Sequence, residues 1–200
     1  MMIWHRNDEL ILASASPRRA ELLRQICVPF RRVVSGVDED LQDPADPDQH
    51  VRVLSRRKAE DVVRDLDTGI VLGADTIVVL DEHILGKPAD AHEAGQMLAM
   101  LSGRTHKVYT GLTLIDAART TSVSHVEITE VTFRELTGEE IDAYVATGEP
   151  LDKAGAYGIQ GRGALLVSGI RGCYFNVVGL PLAGLARALE RLEEMSSGDI

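Results

Sequence analysis

The chain is poor in cysteine, has no long uninterrupted apolar run, and carries no excess of positive charge. Its two cysteines, Cys27 and Cys173, are far apart and in no CxxC or zinc-ligand pattern. That excludes a disulfide-stapled scaffold and suits a reduced, cytoplasmic setting with both cysteines as small core residues. No stretch reaches the roughly 18 apolar residues of a membrane span, and Met1 to Asp8 holds no apolar signal core, which argues against export. Against 31 acidic residues stand 21 Lys and Arg, a net charge of −10. A nucleic-acid-coating or membrane-surface protein would be basic. Also missing are GxxxxGK[ST], a strand-linked GxGxxG, HExxH and GxSxG. Gly161-Arg162-Gly163 lacks the third glycine and the helix context, the histidines show no metal-ligand spacing, and no internal repeat or low-complexity tract is visible.

What is present is an ordinary globular composition, 200 residues with 44% hydrophobic and 26% charged, enough to bury a good core. Strand and helix signals alternate. Strands are expected over residues 9–14, 30–35, 69–74 with a resumption at 77–80, 107–116, 122–133, 164–170 and 174–178. Helices are expected over 17–26, 47–66 with Asp46 as cap, from the Asp90 cap to Leu101, from Thr137 through Tyr144 to Ala146, and after Gly179-Leu180-Pro181. The acidic, Pro-punctuated stretch 38–48 reads as a loop, and Asp75-Thr76 and Asp81-Glu82-His83 read as turns. The fold class is α/β (α+β): a mixed, twisted sheet flanked by helices, with two lobes around a central cleft. Residues 1–8 read as an N-terminal extension, 9–194 as one domain and 195–200 as a loose tail.

Several residues stand where structure alone would not put them. Ser16 caps a helix whose first residue is Pro17, so Arg18 and Arg19 fall in a first turn that favours acidic side chains. Free N–H groups, a positive helix end and two guanidinium forks suit a polyanion such as a phosphate chain; two solvated arginines are the plain alternative. Lys58 lies in the apolar stripe Val51, Leu54, Lys58, Val62, where it must either snorkel outward or meet an anion. Asp75 follows the apolar run Ile70-Val71-Leu72-Gly73-Ala74, at the strand end where α/β sheets gather ligands, or it simply breaks the strand as an Asx turn. Lys87, between Gly86 and Pro88, sits in a rigid loop that either presents a functional side chain or is only a turn. Asp38, Glu39 and Asp40 form an acidic knot able to hold a divalent ion through oxygen, or a solvated loop. Gln160, in the Gly-rich segment 149–161, offers the donor and acceptor that complement a uracil or thymine edge.

Taken in order, Leu12-Ala13-Ser14-Ala15-Ser16-Pro17-Arg18-Arg19, Arg57-Lys58-Ala59, Gly73-Ala74-Asp75-Thr76, Gly86-Lys87-Pro88, Leu101-Ser102-Gly103-Arg104-Thr105-His106 and the segment 149–161 resemble the Maf family of nucleoside triphosphate pyrophosphatases. The likeness runs from about Leu10 to Leu189. It implies an ITPase-like fold and metal-dependent hydrolysis of the α–β phosphoanhydride of a nucleoside triphosphate. By the same resemblance Asp75 is the proton acceptor and a metal ligand, with Glu39 as the metal-side acid. Arg18, Thr76 and Gln160 match the positions that set base preference in the dTTP/UTP branch. Ser14, Arg19, Lys58 and Lys87 match the phosphate-binding set. The implied cofactor is a divalent cation (Mg²⁺, Mn²⁺ or Co²⁺). The implied partner is the nucleotide, not nucleic acid or membrane, and a homodimer is compatible with it. The rival expectation is a nucleotide-binding regulator of cell division without significant turnover.

Overall fold

The computed structural model describes residues 8–38 and 46–197. Its described strands, β1 (Leu10–Ala13), β2 (Phe30–Arg32), β3 (Ile70–Leu80), β4 (His83–Leu85), β5 (Thr105–Asp116), β6 (Thr121–Phe133) and β7 (Val167–Arg171), form a seven-stranded sheet in the order β2-β1-β3-β5-β6-β7, with β4 paired to β3. The chain divides into two compact units. One comprises residues through Asp75, Thr110–Glu127 and everything from Gly179; the other comprises Thr76–Tyr109 and Ile128–Val178.

In the first unit, β1 (Leu10–Ala13) pairs in parallel with β2 (Phe30–Arg32) and with the opening residues of β3 (Ile70–Leu80), in the registers Leu12↔Leu72 and Ala13↔Gly73. All four β1 residues are fully buried, as a parallel strand covered on both faces requires, and its sequence is accordingly apolar without alternation. Helix α1 (Pro17–Gln25) begins at Ser16, whose side chain accepts from the Arg19 N–H, with Pro17 in the first turn. Helix α2 (Pro47–Val63) is capped by Asp46 and turns Val51, Leu54, Ser55, Lys58, Ala59 and Val62 inward, the 3.6-residue face read from the sequence. Two glycines let α2 lie directly on the strands. A Cβ on Gly73 would stand 2.1 Å from the Ser55 carbonyl oxygen, and one on Gly111 would stand 2.3 Å from that of Val51.

In the second unit, β3 turns back through β4 (His83–Leu85), pairing antiparallel with Val78↔Leu85. Helix α3 (Ala91–Leu101) is capped by Asp90, and α4 (Gly138–Val145) by a full capping box between Thr137 and Glu140. Strands β5 (Thr105–Asp116) and β6 (Thr121–Phe133) contribute residues to both units, and β6 pairs antiparallel with β7 (Val167–Arg171). The parallel and antiparallel pairings together make the sheet mixed, as expected. Helix α6 (Leu182–Ser197) belongs to the first unit, and α5 (Tyr174–Val178) follows β7 in the second. The core here includes Val78, Leu80, Leu98, Leu101, Val108, Val131, Phe133 and Tyr157.

Five expectations are corrected. Strand β3 continues through Asp75-Thr76 without a turn, because the Asp75 charge is met inside the fold. The turn expected over Asp81-Glu82-His83 ends at Glu82, and His83 opens β4. Tyr174–Val178 is a helix, not a strand, and the stretch before β7 is a 3-10 turn (Gly161–Leu166). The side-chain amide of the fully buried Asn176 donates to the Val108 carbonyl and to Thr129 Oγ1, each at 3.0 Å. Such long-range bonds override the β preference of two consecutive valines. Finally, Cys27 is exposed and Cys173 half-buried, so neither is a core residue. Cys27 takes a left-handed conformation (φ 56°) just after α1, which turns its side chain outward as the helix ends.

Candidate active site

The parallel pairing of β1 with β3 determines what meets at their carboxyl ends. Ala13 is opposite Gly73, so Ser14 is one residue and Asp75 two residues beyond the same register point. This end of a parallel pair is where α/β sheets present ligand-binding groups. Ser14 is buried, and its Oγ accepts from the Ser16 N–H at 3.2 Å and from Arg19 Nη1 at 2.9 Å. Arg19, 8% exposed, also donates through Nε to the Gly179 carbonyl at 2.9 Å. Two of its donors are thereby tied to the protein, which holds a positive charge at the N-terminus of α1. Arg18 is half-buried in the same turn.

Lys58 does not snorkel. Its Nζ donates to Asp75 Oδ1 at 2.7 Å, with side-chain exposures of 7% and 9%. The pair exists because Gly73 lets α2 approach the strand two residues before Asp75. The second carboxylate oxygen, Oδ2, is buried and has no hydrogen-bond partner among the described residues. A buried acceptor left unmade costs of order 1–3 kcal/mol, and more for a charged group. Such an atom is suited to a cation or to a proton-donating water.

A hard divalent cation fits this donor, since Mg²⁺-type ions take carboxylate oxygen and commonly complete their shell with water and phosphate oxygens. Among the described residues no cluster of three or more His, Cys, Asp or Glu side chains could hold a metal ion alone. Glu39, the other expected ligand, lies outside the described residues.

The second unit carries the remaining candidates. Thr76 follows Asp75 on β3 and is half-buried; Lys87 is exposed just after β4; Gln160 is exposed in extended backbone before a left-handed Gly161. The Lys87 loop and the Gly-rich segment are joined by a bond from the Gly155 N–H to the Gly86 carbonyl at 3.0 Å. That segment is seated on β3: a Cβ on Gly155 would meet Val78 at 2.9 Å. Beneath it, the Tyr157 hydroxyl and His106 Nε2 share a 2.7 Å hydrogen bond, and both rings meet Phe133 edge-on. Burial pushes the His106 pKa down to about 4, so the ring is neutral at pH 7. Sequence reasoning assigned no role to Glu149, Tyr144 or His106. Their spacing shows no periodicity, and only the folded segment brings them to their partners.

Comparison with known proteins shows the family to which the chain belongs. The family model described as Maf-like protein matches residues 9–192. A dTTP/UTP pyrophosphatase of Bacillus cytotoxicus is 54% identical, with 94% of this chain and 98% of that protein covered. One of Moorella thermoacetica is 55% identical, with 91% and 94% covered. Among solved structures, a HAM1 protein from Coxiella burnetii superposes at a TM-score of 0.49 with 17% identity, covering 92% of this chain and 98% of that one. No helix among the described residues is long and apolar enough to cross a membrane. With its motifs in order along nearly the whole length and relatives above half identity, the chain belongs to the Maf-like protein family.

Proposed function

We propose that this chain hydrolyses dTTP and UTP at the α–β phosphoanhydride, releasing the nucleoside monophosphate and pyrophosphate. The observation that carries the reading is the buried Lys58–Asp75 pair with its unpartnered Oδ2, set at the carboxyl end of β1 and β3 beside Ser14 and Arg19. Relatives bearing the name dTTP/UTP pyrophosphatase at 54% and 55% identity point to the same reaction.

A triphosphate resists attack by water because its own charge repels the nucleophile and because water is a poor one. Catalysis therefore consists mainly of holding charge and orienting water. In this reading Arg19, Lys58 and Lys87 bind phosphate oxygens, and the Ser14 hydroxyl, whose oxygen already accepts twice, donates its proton to another. A divalent cation (Mg²⁺, Mn²⁺ or Co²⁺) held by Asp75, with Glu39, would supply charge neutralisation at the phosphates. Asp75 accepts the proton as water attacks the α-phosphorus and the bond from that phosphorus to the pyrophosphate leaving group breaks. The Lys58 ammonium on Oδ1 keeps Asp75 oriented until that transfer.

Base choice falls to Arg18, Thr76 and Gln160. The Gln160 amide meets the 4-position oxygen and adjacent N–H that uracil and thymine share. The 5-methyl changes affinity by only about 1–3 kcal/mol, so both nucleotides are accepted. Cytosine inverts the donor pattern at the 4-position and is disfavoured. The test incubates purified protein with a panel of triphosphates and Mg²⁺, Mn²⁺ or Co²⁺, resolving pyrophosphate from orthophosphate. Pyrophosphate from dTTP and UTP, abolished by chelator, is the expected result. Orthophosphate release, equal turnover of CTP, or stoichiometric binding without turnover would overturn it. The last is what a nucleotide-binding regulator would give.

A further inference from the structure

Residues 158–163 make a closed loop with Gln160 near its tip, and no strand pairing holds it. Its two ends almost touch: a Cβ on Gly163 would stand 2.2 Å from the Gly158 carbonyl oxygen and 2.6 Å from the Tyr144 hydroxyl. What closes the loop is one carboxylate from outside it. Glu149 Oε1 accepts the Gly163 N–H at 3.1 Å and the Tyr144 hydroxyl at 2.9 Å, while Oε2 accepts the Arg162 N–H at 3.1 Å. The Tyr144 oxygen in turn accepts the Gly158 N–H at 3.2 Å. One side chain, directly and through a phenol, therefore gathers three amides from both ends of the loop.

Glu149 is itself braced. Its N–H donates to Thr147 Oγ1 at 3.1 Å, and its carbonyl accepts from Lys153 Nζ at 2.6 Å. Tyr144 stands on α4, whose start is secured by the Thr137–Glu140 capping box. Burial alone would raise the Glu149 pKa, but the Gly163 N–H, the Tyr144 hydroxyl, the Arg162 N–H and the Lys153 charge together bring it below the ordinary carboxylate value. It is ionised at neutral pH and accepts without donating. Gly161 (φ +66°) completes the arrangement, because a Cβ there would press on Glu149 Oε2 at 2.9 Å. Nothing in the reaction chemistry requires this carboxylate.

The geometry points to Glu149, acting with Tyr144, as the positioning residue for base selectivity: it closes the 158–163 loop in the one shape that presents Gln160 to the pyrimidine edge. The inference rests on the proposed reading of Gln160 as a base-contacting residue. Hydrogen-bond discrimination is lost when the reading group is displaced by about an ångström, so the clamp acts on selectivity before it acts on chemistry.

The test measures kcat and KM for UTP and CTP, by pyrophosphate release, in the wild type, Glu149→Gln, Tyr144→Phe, Gln160→Ala and the double variant Glu149→Gln/Gln160→Ala. Glu149→Gln keeps the size but turns an NH2 donor against amide donors; Tyr144→Phe deletes only the hydroxyl and carries the test where the first variant folds poorly. Both are expected to raise the KM for UTP and to lower the UTP-over-CTP preference about tenfold or more, with kcat near wild type. The double variant should be no less selective than Gln160→Ala, since both act through one group. Backbone amide resonances of Arg162 and Gly163 should titrate together in the wild type as pH falls, and not in Glu149→Gln. Wild-type preference in both Glu149→Gln and Tyr144→Phe overturns the inference, as do independent, multiplying losses in the double variant. Unchanged preference in Gln160→Ala alone overturns the base-reading role of Gln160 instead; a loss in Glu149→Gln would then still assign selectivity to the clamped loop.

Discussion

Lys58 and Asp75 each look misplaced when taken singly and are explained by the other. A lysine in an apolar helix stripe and a carboxylate inside an eleven-residue strand would each be expensive to bury alone. At 2.7 Å they offset much of that cost, while removing one partner typically costs about 3–5 kcal/mol. Lys58→Met should therefore lower stability by about that amount, measured by urea unfolding, because it leaves the Asp75 carboxylate without its ammonium. Adding Asp75→Asn should return much of the lost stability without returning turnover, which separates the pair's part in folding from its part in chemistry. Asp75→Asn alone should slow pyrophosphate release about 100- to 10,000-fold. Near-full turnover with unchanged metal dependence would remove Asp75 from the mechanism. At this scale the sequence was informative wherever a residue offended its local pattern: Arg18 and Arg19 at a helix start, Lys58 on an inward face. It was silent where the residue offended nothing locally, as at Glu149, an ordinary acidic residue beside a proline.

The approach of α2 to the sheet is the element-level feature on which the pair depends. Gly73 lets the helix backbone sit on β3, with a notional Cβ 2.1 Å from the Ser55 carbonyl oxygen and 2.8 Å from the Ala59 N. Both obstacles are backbone, so a methyl there cannot be absorbed by a side-chain rotation. Gly73→Ala should cost about 1–3 kcal/mol or more in unfolding free energy and should depress kcat by drawing Lys58 away from Asp75. Gly138→Ala, where nothing lies within 4 Å, is the control and should leave both unchanged. Long periodic elements with caps were legible in advance, α2 and α3 among them, since cap and stripe are local chemistry. Helix α5 was not. Its valines speak for a strand, and the decision lies with Asn176 reaching Val108 and Thr129 far along the chain.

Across the whole molecule, stability should fall with acid in two separable windows. His106 is held neutral, with a folded pKa of about 4 against an ordinary 6.5. Between those values the unfolded chain binds a proton that the folded one refuses, so stability declines as pH drops from 6.5 to 4, by about 3 kcal/mol at most. Glu140, brought down to about 2 by Arg134 and the Thr137 N–H, contributes its loss below the ordinary carboxylate value of 4.5. Urea midpoints at pH 7.5, 6 and 5 should show the first decline, and His106→Gln should flatten it while leaving the loss below pH 4.5 in place. A wild-type midpoint constant from pH 7.5 to 5 would contradict the burial assigned to His106.

The composition, the alternation of strand and helix, the caps and the ordered motifs were sufficient by themselves to indicate the α/β class, the family and which cations and carboxylate to watch, because each rests on interactions within a few residues or on a pattern written along the chain. Tertiary structure alone decided that Asp75 stays within its strand, that Lys58 is its partner, that Cys27 faces solvent and that Glu149 closes the loop bearing Gln160. Each of these depends on what a buried polar group meets from a distant part of the chain, and the free energy of burying charge is determined by that partner rather than by the neighbours in sequence.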